Sequence, residues 1–274
     1  MKIKVIAVLM TVLVFSGVFA SGGNQSSGSS GPAAYTIEVG GSTSVTPLME
    51  YFEAEYVKLN PHIKVNINGT GSGDGINNTG VTYQIGMSSR ELTPAEQGRG
   101  LREAVVAIDG IAVIVNSGNA VSNLTVEQIR GIYTGEITNW SDVGGRNAVI
   151  AVVSREEGSG TRGAFEELAG FQGRLLANAN QLTSTGAILA NIASNPDAIG
   201  YISLGSVNDT IKALSVNGIP ASSANVLNGS YRIARPFIVL TGNNVHAESS
   251  AFVNWMLSPA GQAIVAARNF IPVR

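Results

Sequence analysis

Three glycine-rich loops constrain the fold of this chain more than any other feature of its sequence. They are GGSTS (40–44), GTGSGDG (69–75) and REEGSGTRG (155–163). Each follows a run typical of a strand and precedes a stretch typical of a helix. This order of strand, loop and helix predicts α/β layers with a largely parallel sheet. In such a sheet the loops gather at the carboxyl ends of the strands, which is where ligands bind.

Other patterns supply the remaining elements. Strands are predicted at 35–39 (YTIEV), 63–67 (IKVNI) and 148–153 (AVIAVV), and helices at 124–132 (LTVEQIRGI) and after Pro47, with Leu48, Phe52, Tyr56 and Leu59 on one face. The apolar runs 105–116 and 234–241 lie far apart in the chain, and we interpret them as crossovers between two lobes. The first lobe would comprise 35–112 and 238–274, and the second 113–237.

The amino-terminal segment predicts export. Residues 1–20 contain Lys2 and Lys4, an apolar run from Val5 to Phe15 and small residues around Ala20, which are the three regions of a signal peptide. The 16 residues from Val5 to Ala20 fall short of the roughly 20 that span a bilayer. Residues 21–34 are rich in Gly and Ser and predict a linker rather than part of the fold.

Composition disfavours several classes of function. Without Lys2 and Lys4 the chain has 15 basic residues against 19 acidic ones and no basic block, so we expect no nucleic-acid partner. The absence of cysteine removes thiolate metal sites, disulfides and cysteine nucleophiles. With His62 and His246 as the only histidines, a His-rich metal site or a Ser-His-Asp triad is disfavoured too. We therefore expect neither a metal nor a cofactor.

The last of the three loops permits several interpretations. Gly158, Gly160 and Gly163 spell G-x-G-x-x-G, but a dinucleotide site also needs an acidic residue about 20 positions later, and residues 178–186 (NANQLTSTG) have none. A nucleophile elbow needs G-x-S-x-G, whereas Ser159 stands directly between two glycines. A phosphate-binding loop of the Walker type would need a lysine that is absent here.

An anion site is the interpretation that uses every residue of this loop. Arg155 supplies a forked donor that is always charged. Ser159, Gly160 and Thr161 supply hydroxyl and amide donors at the start of a helix. Ordinary helix caps and turns would explain one such loop better, but they explain three loops beside an arginine less well.

Five segments together resemble the phosphate-binding protein of bacterial phosphate ABC transporters: GSTSVTPL (41–48), GTGSGDGI (69–76), IGMSSREL (85–92), LTVEQIRGIYTGEITNW (124–140) and REEGSGTRGAFEEL (155–168). The resemblance covers the chain from about Tyr35 onwards. It implies an α/β periplasmic-binding-protein fold of type II-like form, with two lobes joined by two crossover strands. It also implies that the lobes close on inorganic phosphate, that a membrane permease receives the ion, and that the protein is not an enzyme.

The resemblance also implies which residues bind phosphate. The family's motifs place these at Thr43, Ser44, Ser72, Arg155, Ser159, Gly160 and Thr161. Glu157 matches the acidic residue that orients the arginine. Ser89 stands where the best-studied members have an aspartate, which accepts a proton from phosphate and so rejects sulfate. We hypothesise that Ser89 contacts the ligand and that Asp74 or a backbone carbonyl supplies the acceptor.

The same resemblance leaves alternatives for function and location. A phosphatase or other phosphoryl-transfer enzyme could use these loops as an oxyanion hole, the ion could be sulfate, or a sensor of this fold could have lost its ligand. We expect a monomer that is secreted, periplasmic or held on the outer face of the cytoplasmic membrane. Many relatives carry a lipid on a cysteine after the signal, but Ser21 occupies that position here, so a lipid anchor is doubtful.

Overall fold

The computed structural model describes residues 33–273, so the predicted signal peptide (1–20) and all but the end of the predicted linker (21–34) lie outside the described residues. The strands are β1 Tyr35–Gly41, β2 Ile63–Gly69, β3 Ile85–Ser88, β4 Arg102–Asn116, β5 Asn123–Leu124, β6 Ala151–Arg155, β7 Asn180–Leu182, β8 Ala198–Ser203, β9 Ile211–Ala213, β10 Ser215–Val216 and β11 Ala234–Thr241. The helices are α1 Thr46–Leu59, α2 Ser72–Asn78, α3 Pro94–Gln97, α4 Val126–Thr134, α5 Gly160–Leu168, α6 Thr185–Ser194, α7 Ser223–Leu227, α8 Ala247–Met256 and α9 Pro259–Ala267. Within 33–273, no helix has the length and apolar character needed to cross a membrane.

The strands form a mixed sheet in the order β2-β1-β3-β11-β4-β8-β6-β7, with β9 also paired to β4. Towards its two ends the sheet is parallel: β1 pairs with β2 and β3, and β6 pairs with β7 and β8. At its centre β11 runs antiparallel to β3 and β4, and β4 runs antiparallel to β8 and β9. The prediction of a largely parallel sheet is wrong there, because the two long central strands cross the molecule in opposite directions.

Two groups of buried apolar side chains divide the molecule into two lobes. The first lobe is built on a core that includes Ile37, Phe52 and Phe252. The second lobe is built on a core that includes Tyr133 and Phe165 on one face of the sheet, and on a smaller cluster against α6 on the other face. The boundaries 35–112, 113–237 and 238–274 stay a prediction.

The long strands β4 and β11 join the lobes, which confirms the interpretation of the two apolar runs as crossovers. Val106 lies in the core of the first lobe, whereas Val113, farther along β4, lies in the core of the second. On β11, Ala234 packs against the second core and Phe237 lies in the first. The chain thus passes between the lobes within continuous strands, which places the junction inside the sheet.

Several local predictions can be compared with the elements that form. In α1, Leu48, Phe52 and Tyr56 are buried as expected, but Leu59 is 67% exposed because it is the last residue of the helix and points past the core. Helix α4 begins after Thr125, whose hydroxyl accepts from the amide of Gln128 in a capping box. Strand β6 begins at Ala151, three residues later than predicted.

Candidate functional site

The predicted loops lie at the carboxyl ends of strands on both sides of the junction. In the first lobe, the parallel strands β1, β2 and β3 are neighbours, so the loops 42–45, 70–71 and 89–93 leave the same edge of the sheet. In the second lobe, the loop 156–159 leaves the end of β6 and enters α5. Neighbouring parallel strands thus bring together side chains that are far apart in the sequence.

Three buried serines form a hydroxyl cluster in the first lobe. The Ser42 hydroxyl donates to Ser89 Oγ at 2.9 Å, and the hydroxyls of Ser89 and Ser72 lie 3.3 Å apart. The Ser89 amide also donates to Ser72 Oγ at 3.1 Å. All three side chains are almost fully buried. The cluster therefore gathers hydroxyl groups, with no carboxylate among them, where the loops after β1, β2 and β3 meet.

A second set of hydroxyls connects the two lobes. Ser44 Oγ lies 2.8 Å from Thr161 Oγ1 and 3.2 Å from Thr185 Oγ1. Thr43 Oγ1 lies 3.3 Å from Thr185 Oγ1 and accepts from the Thr185 amide at 3.4 Å. Thr43 and Ser44 belong to the first lobe, whereas Thr161 and Thr185 begin helices of the second. The lobes therefore meet at these loops.

Gly160 brings the second lobe against the hydroxyl cluster. A Cβ atom on Gly160 would lie 2.3 Å from Ser72 Oγ and 2.9 Å from Ser89 Oγ, which is too close for any side chain. Nearby, the amide of Gly73 donates to the carbonyl of Gly158 at 3.0 Å. The start of α5 thus packs directly on the Ser72 and Ser89 hydroxyls.

Arg155 is buried at the end of β6 and is held by groups of its own lobe. Its Nε and Nη2 atoms each donate to one carboxylate oxygen of Glu156 at 2.8 Å. The same atoms also donate to the carbonyls of Leu182 and Thr183, at 3.2 and 3.4 Å. The carboxylate that orients the guanidinium is therefore that of Glu156. The prediction of Glu157 is wrong, because Glu157 is exposed on the turn that follows.

The Nη1 atom of Arg155 stays available to a ligand, since it makes no hydrogen bond to any described residue. Tyr201 supports the strand end that carries this arginine: its hydroxyl accepts from the Arg155 amide at 3.2 Å and lies 2.7 Å from Ser154 Oγ. Burial raises the pKa of Tyr201 to about 12, so this hydroxyl remains neutral.

Main-chain amides at the site point to anion binding as well. The amides of Thr43, Ser72, Gly160 and Thr161 donate no hydrogen bond within the described part of the chain. Three of them belong to the first residues of α2 and α5, where amides have no partner inside the helix and the helix dipole is positive. Ser159 is the N-cap of α5, and its Oγ accepts from the Arg162 amide at 3.3 Å while its hydroxyl proton remains free to donate.

The Asp74 carboxylate does not have the free oxygen expected of an acceptor for the proton of phosphate. Burial alone would raise the pKa of Asp74, but hydrogen bonds from Thr70, Tyr83 and Asn78 outweigh it and lower that pKa. These donors lie at 2.5, 2.8 and 2.7 Å from the carboxylate. The Asp74 carboxylate is thus ionised and already occupied by groups of its own lobe.

The structure brings the eight candidate residues to one region. Thr43, Ser44 and Thr161 meet across the lobes, Ser72 and Ser89 contact Gly160, and Arg155 and Ser159 flank the turn that leads to Gly160. Sequence reasoning missed Ser42 and Thr185, which complete the two sets of hydroxyls. Both lie in segments of the kind that it selected: Ser42 belongs to GGSTS, and Ser184–Thr185 precedes an apolar helix as an N-cap would.

Comparison with known proteins agrees with this geometry. The family model described as a PBP superfamily domain, for periplasmic binding proteins, matches residues 26–260. The chain belongs to this superfamily. One relative is the protein named Phosphate-binding protein PstS of Borreliella burgdorferi, which is 31% identical over 87% of this chain and 90% of that protein. The PstS of Bacillus subtilis is 28% identical over 88% of this chain and 82% of that protein.

Solved structures of PBP proteins extend the comparison to the fold. A substrate-binding protein assigned to phosphate ABC transporters, from Clostridium perfringens and with bound phosphate, is 42% identical, with a TM-score of 0.86 over 88% of this chain and 100% of that one. An ABC-type phosphate transport receptor from Vibrio cholerae is 34% identical, with a TM-score of 0.72 over 87% of this chain and 100% of that one. The two-lobed α/β architecture is therefore that of the PBP superfamily.

Proposed function

We propose that this protein binds inorganic phosphate outside the cytoplasm and delivers it to the membrane permease of an ABC transporter. One observation carries the proposal: hydroxyl and amide donors from both lobes converge beside the buried guanidinium of Arg155. The relatives support the choice of ion, because the curated ones are named for phosphate binding and one of the solved structures contains phosphate.

The chemistry of binding follows from the donors. A phosphate ion entering the site exchanges its water shell for the Nη1 group of Arg155, the hydroxyls of Ser72, Ser89 and Thr161, and the open amides at the starts of α2 and α5. Each hydrogen bond to a charged group contributes about 1.5 to 3 kcal/mol. Several such bonds in a water-poor site offset the cost of desolvating a small anion. The remaining candidates, Thr43, Ser44 and Ser159, complete the enclosure.

Discrimination against sulfate depends on an acceptor for the proton that phosphate carries. The Asp74 carboxylate already accepts hydrogen bonds from its own lobe, and the hydroxyl cluster contains no carboxylate. We propose that the hydroxyl oxygen of Ser72 or Ser89 accepts a hydrogen bond from the protonated phosphate oxygen, because a hydroxyl can accept as well as donate. Such an acceptor is weaker than a carboxylate, so we expect phosphate to bind more tightly than sulfate by a smaller margin than a carboxylate would give.

Isothermal titration calorimetry tests the proposal. Purified protein is titrated with phosphate and with sulfate at equal ionic strength, beside the variant Arg155→Ala. We expect phosphate to bind more tightly than sulfate, and the variant to lose at least about 100-fold in affinity while keeping its circular dichroism spectrum. Equal affinities for the two ions would refute phosphate specificity, and unaltered binding by the variant would refute the site.

The enzyme alternative is disfavoured by the relatives, which are named as binding and transport proteins. A chromogenic phosphate-ester assay separates the two functions. We expect no turnover by the protein at concentrations where it binds phosphate stoichiometrically. Turnover that the Arg155→Ala variant loses would favour a phosphatase instead.

We further propose that residues 1–20 direct export, that the mature protein is a monomer without a nucleic-acid partner, and that it carries no thioether-linked lipid. The last point follows because the sequence contains no cysteine.

Mass spectrometry of the mature amino terminus tests export and lipidation. Size-exclusion chromatography with light scattering tests the oligomeric state, and a dimer at micromolar concentration would contradict the monomer.

A further inference from the structure

Two opposite charges lie buried on the strands that join the lobes. Asp109 on β4 and Arg235 on β11 are direct partners in the antiparallel register. Their side chains are 0% and 2% exposed. Replacing a buried ion pair by apolar residues is often neutral or stabilising, so packing alone does not explain why charges occupy this junction.

Arg235 links this ion pair to the proposed phosphate site. Its Nη2 and Nε atoms donate to Asp109 Oδ2 at 3.2 and 3.4 Å. Its Nη1 atom donates in another direction, to the main-chain carbonyl of Ser89 at 3.1 Å. Ser89 is the residue whose hydroxyl and amide contact Ser42 and Ser72. One guanidinium thus connects a crossover strand to the hydroxyl cluster.

Several groups face this pair from neighbouring elements. The Ser203 hydroxyl, at the end of β8, donates to Asp109 Oδ1 at 2.8 Å. Burial raises the pKa of Asp109 to about 6, although Arg235, Ser203 and a hydrogen bond from the Gly205 backbone oppose the rise. Burial is also the main reason that the pKa of Tyr231 is raised, and the charge of Asp109 adds to it.

The charge of Arg155 also reaches this pair. Burial lowers the pKa of Arg235, and the like charge of Arg155 lowers it further. The Asp109 carboxylate and, to a smaller extent, Tyr201 raise the pKa of Arg235 and so oppose this decrease. The two guanidiniums are therefore close enough to interact. Arg235 would therefore also attract an anion bound at Arg155. The negative charge of Asp109 reduces this attraction.

We propose that Arg235 is a positioning residue for phosphate binding: it fixes the Ser89 main chain so that the Ser89 and Ser72 hydroxyls face the ion, and Asp109 sets how much of its positive charge reaches the site. The inference rests on the proposed function. It assigns two roles to the pair, one geometric and one electrostatic. Asp109→Asn changes the charge and keeps the shape, whereas Arg235→Lys keeps the charge and loses the fork that reaches both partners.

The experiment measures the phosphate dissociation constant (Kd) of wild type, Asp109→Asn and Arg235→Lys by calorimetry at pH 8 and pH 5. At pH 8 Asp109 is ionised in the wild type, so we expect Asp109→Asn to bind phosphate about fivefold more tightly. At pH 5, below the pKa of Asp109, the wild-type carboxyl is mostly protonated and therefore neutral, as the amide of the variant is at any pH, so the two constants should converge. The ratio of the two constants cancels the titration of phosphate itself. Arg235→Lys should bind about tenfold more weakly at both pH values.

Asp197→Asn is the matched control, because it neutralises the carboxylate of another Asp–Arg pair, with Arg146, that is partly exposed. It should bind as the wild type does. A ratio for Asp109→Asn that does not change with pH, or weaker binding at both pH values, would overturn the electrostatic role. Wild-type affinity of Arg235→Lys would overturn the geometric role. A wild type that binds no phosphate would instead refute the proposed function.

Discussion

At the residue scale, the environment of Arg155 decides which neighbouring carboxylate matters. Glu156 takes two of the guanidinium's donor groups, while Glu157 is exposed. We predict that Glu156→Gln lowers the free energy of unfolding, because Arg155 is then buried without an ionised partner. Since the Glu156 side chain is 26% exposed, we expect a loss of about 1 to 2 kcal/mol rather than the full cost of a broken buried pair.

Glu157→Gln is the matched control for this change and should alter stability by less than about 0.5 kcal/mol. Urea unfolding in phosphate-free buffer measures both variants. Saturating phosphate should restore more stability to Glu156→Gln than to the wild type, because the bound anion replaces the lost partner. Equal destabilisation by the two variants would contradict the assignment of Glu156.

Gly160 provides a second test at the residue scale. We predict that Gly160→Ala weakens phosphate binding by about 10- to 100-fold, because the added methyl group overlaps Ser72 Oγ and keeps the second lobe from reaching the serine cluster. Gly158→Ala is the control, since a Cβ on Gly158 meets no atom within 4 Å. Calorimetry compares the two. Similar affinities would show that the lobes bind the ion without this close approach.

At the scale of the elements, the sequence predicts which residues form the loops better than it predicts which residues of the other lobe those loops contact. Glycines and hydroxyls between strand and helix patterns are local signals, and they lead to the residues around β1, β2, β3 and β6. The contact of Ser44 with Thr185 depends on how two lobes meet, and no local pattern encodes that. The antiparallel centre was missed for the same reason, because strand direction follows from the path of the chain.

The sequence contains a signal for the buried ion pair at the junction. Asp109 and Arg235 are single charges within the two long apolar runs, one of each sign. A charge in a buried strand needs a partner. Two opposite charges in two predicted crossovers therefore favour a pair, although nothing in the sequence indicates that Arg235 also reaches the carbonyl of Ser89.

Helix α6 supplies a prediction at this scale. Its first residue, Thr185, contacts Thr43 and Ser44 through its hydroxyl, so α6 holds the lobes together beside the site. We predict that Thr185→Val weakens phosphate binding by about 3- to 10-fold, because contacts of about 0.5 to 1.5 kcal/mol each are lost. The loss should be in the dissociation rate, measured by stopped-flow release. Thr36→Val, at an exposed position, is the control, and an unchanged rate for Thr185→Val would contradict the interlobe role.

At the scale of the whole molecule, the proposed phosphate site lies where two lobes with separate apolar cores meet. The chain crosses between them on β4 and β11 in the middle of a continuous sheet, and we expect rotation about these two strands to open and close the site. A ligand that contacts both lobes binds only their closed arrangement. Ligand binding should therefore stabilise the folded molecule as a unit and not one lobe alone.

Thermal unfolding tests this expectation. Phosphate at about 100 times its dissociation constant adds about 2.7 kcal/mol to the free energy of unfolding, because only the folded state binds it. For a protein of this size that corresponds to a rise of about 5 to 10 °C in Tm. Both lobes should shift together in one transition, and Arg155→Ala should show no rise. Two transitions, of which phosphate moves only one, would place the binding energy in a single lobe and contradict a site made by both.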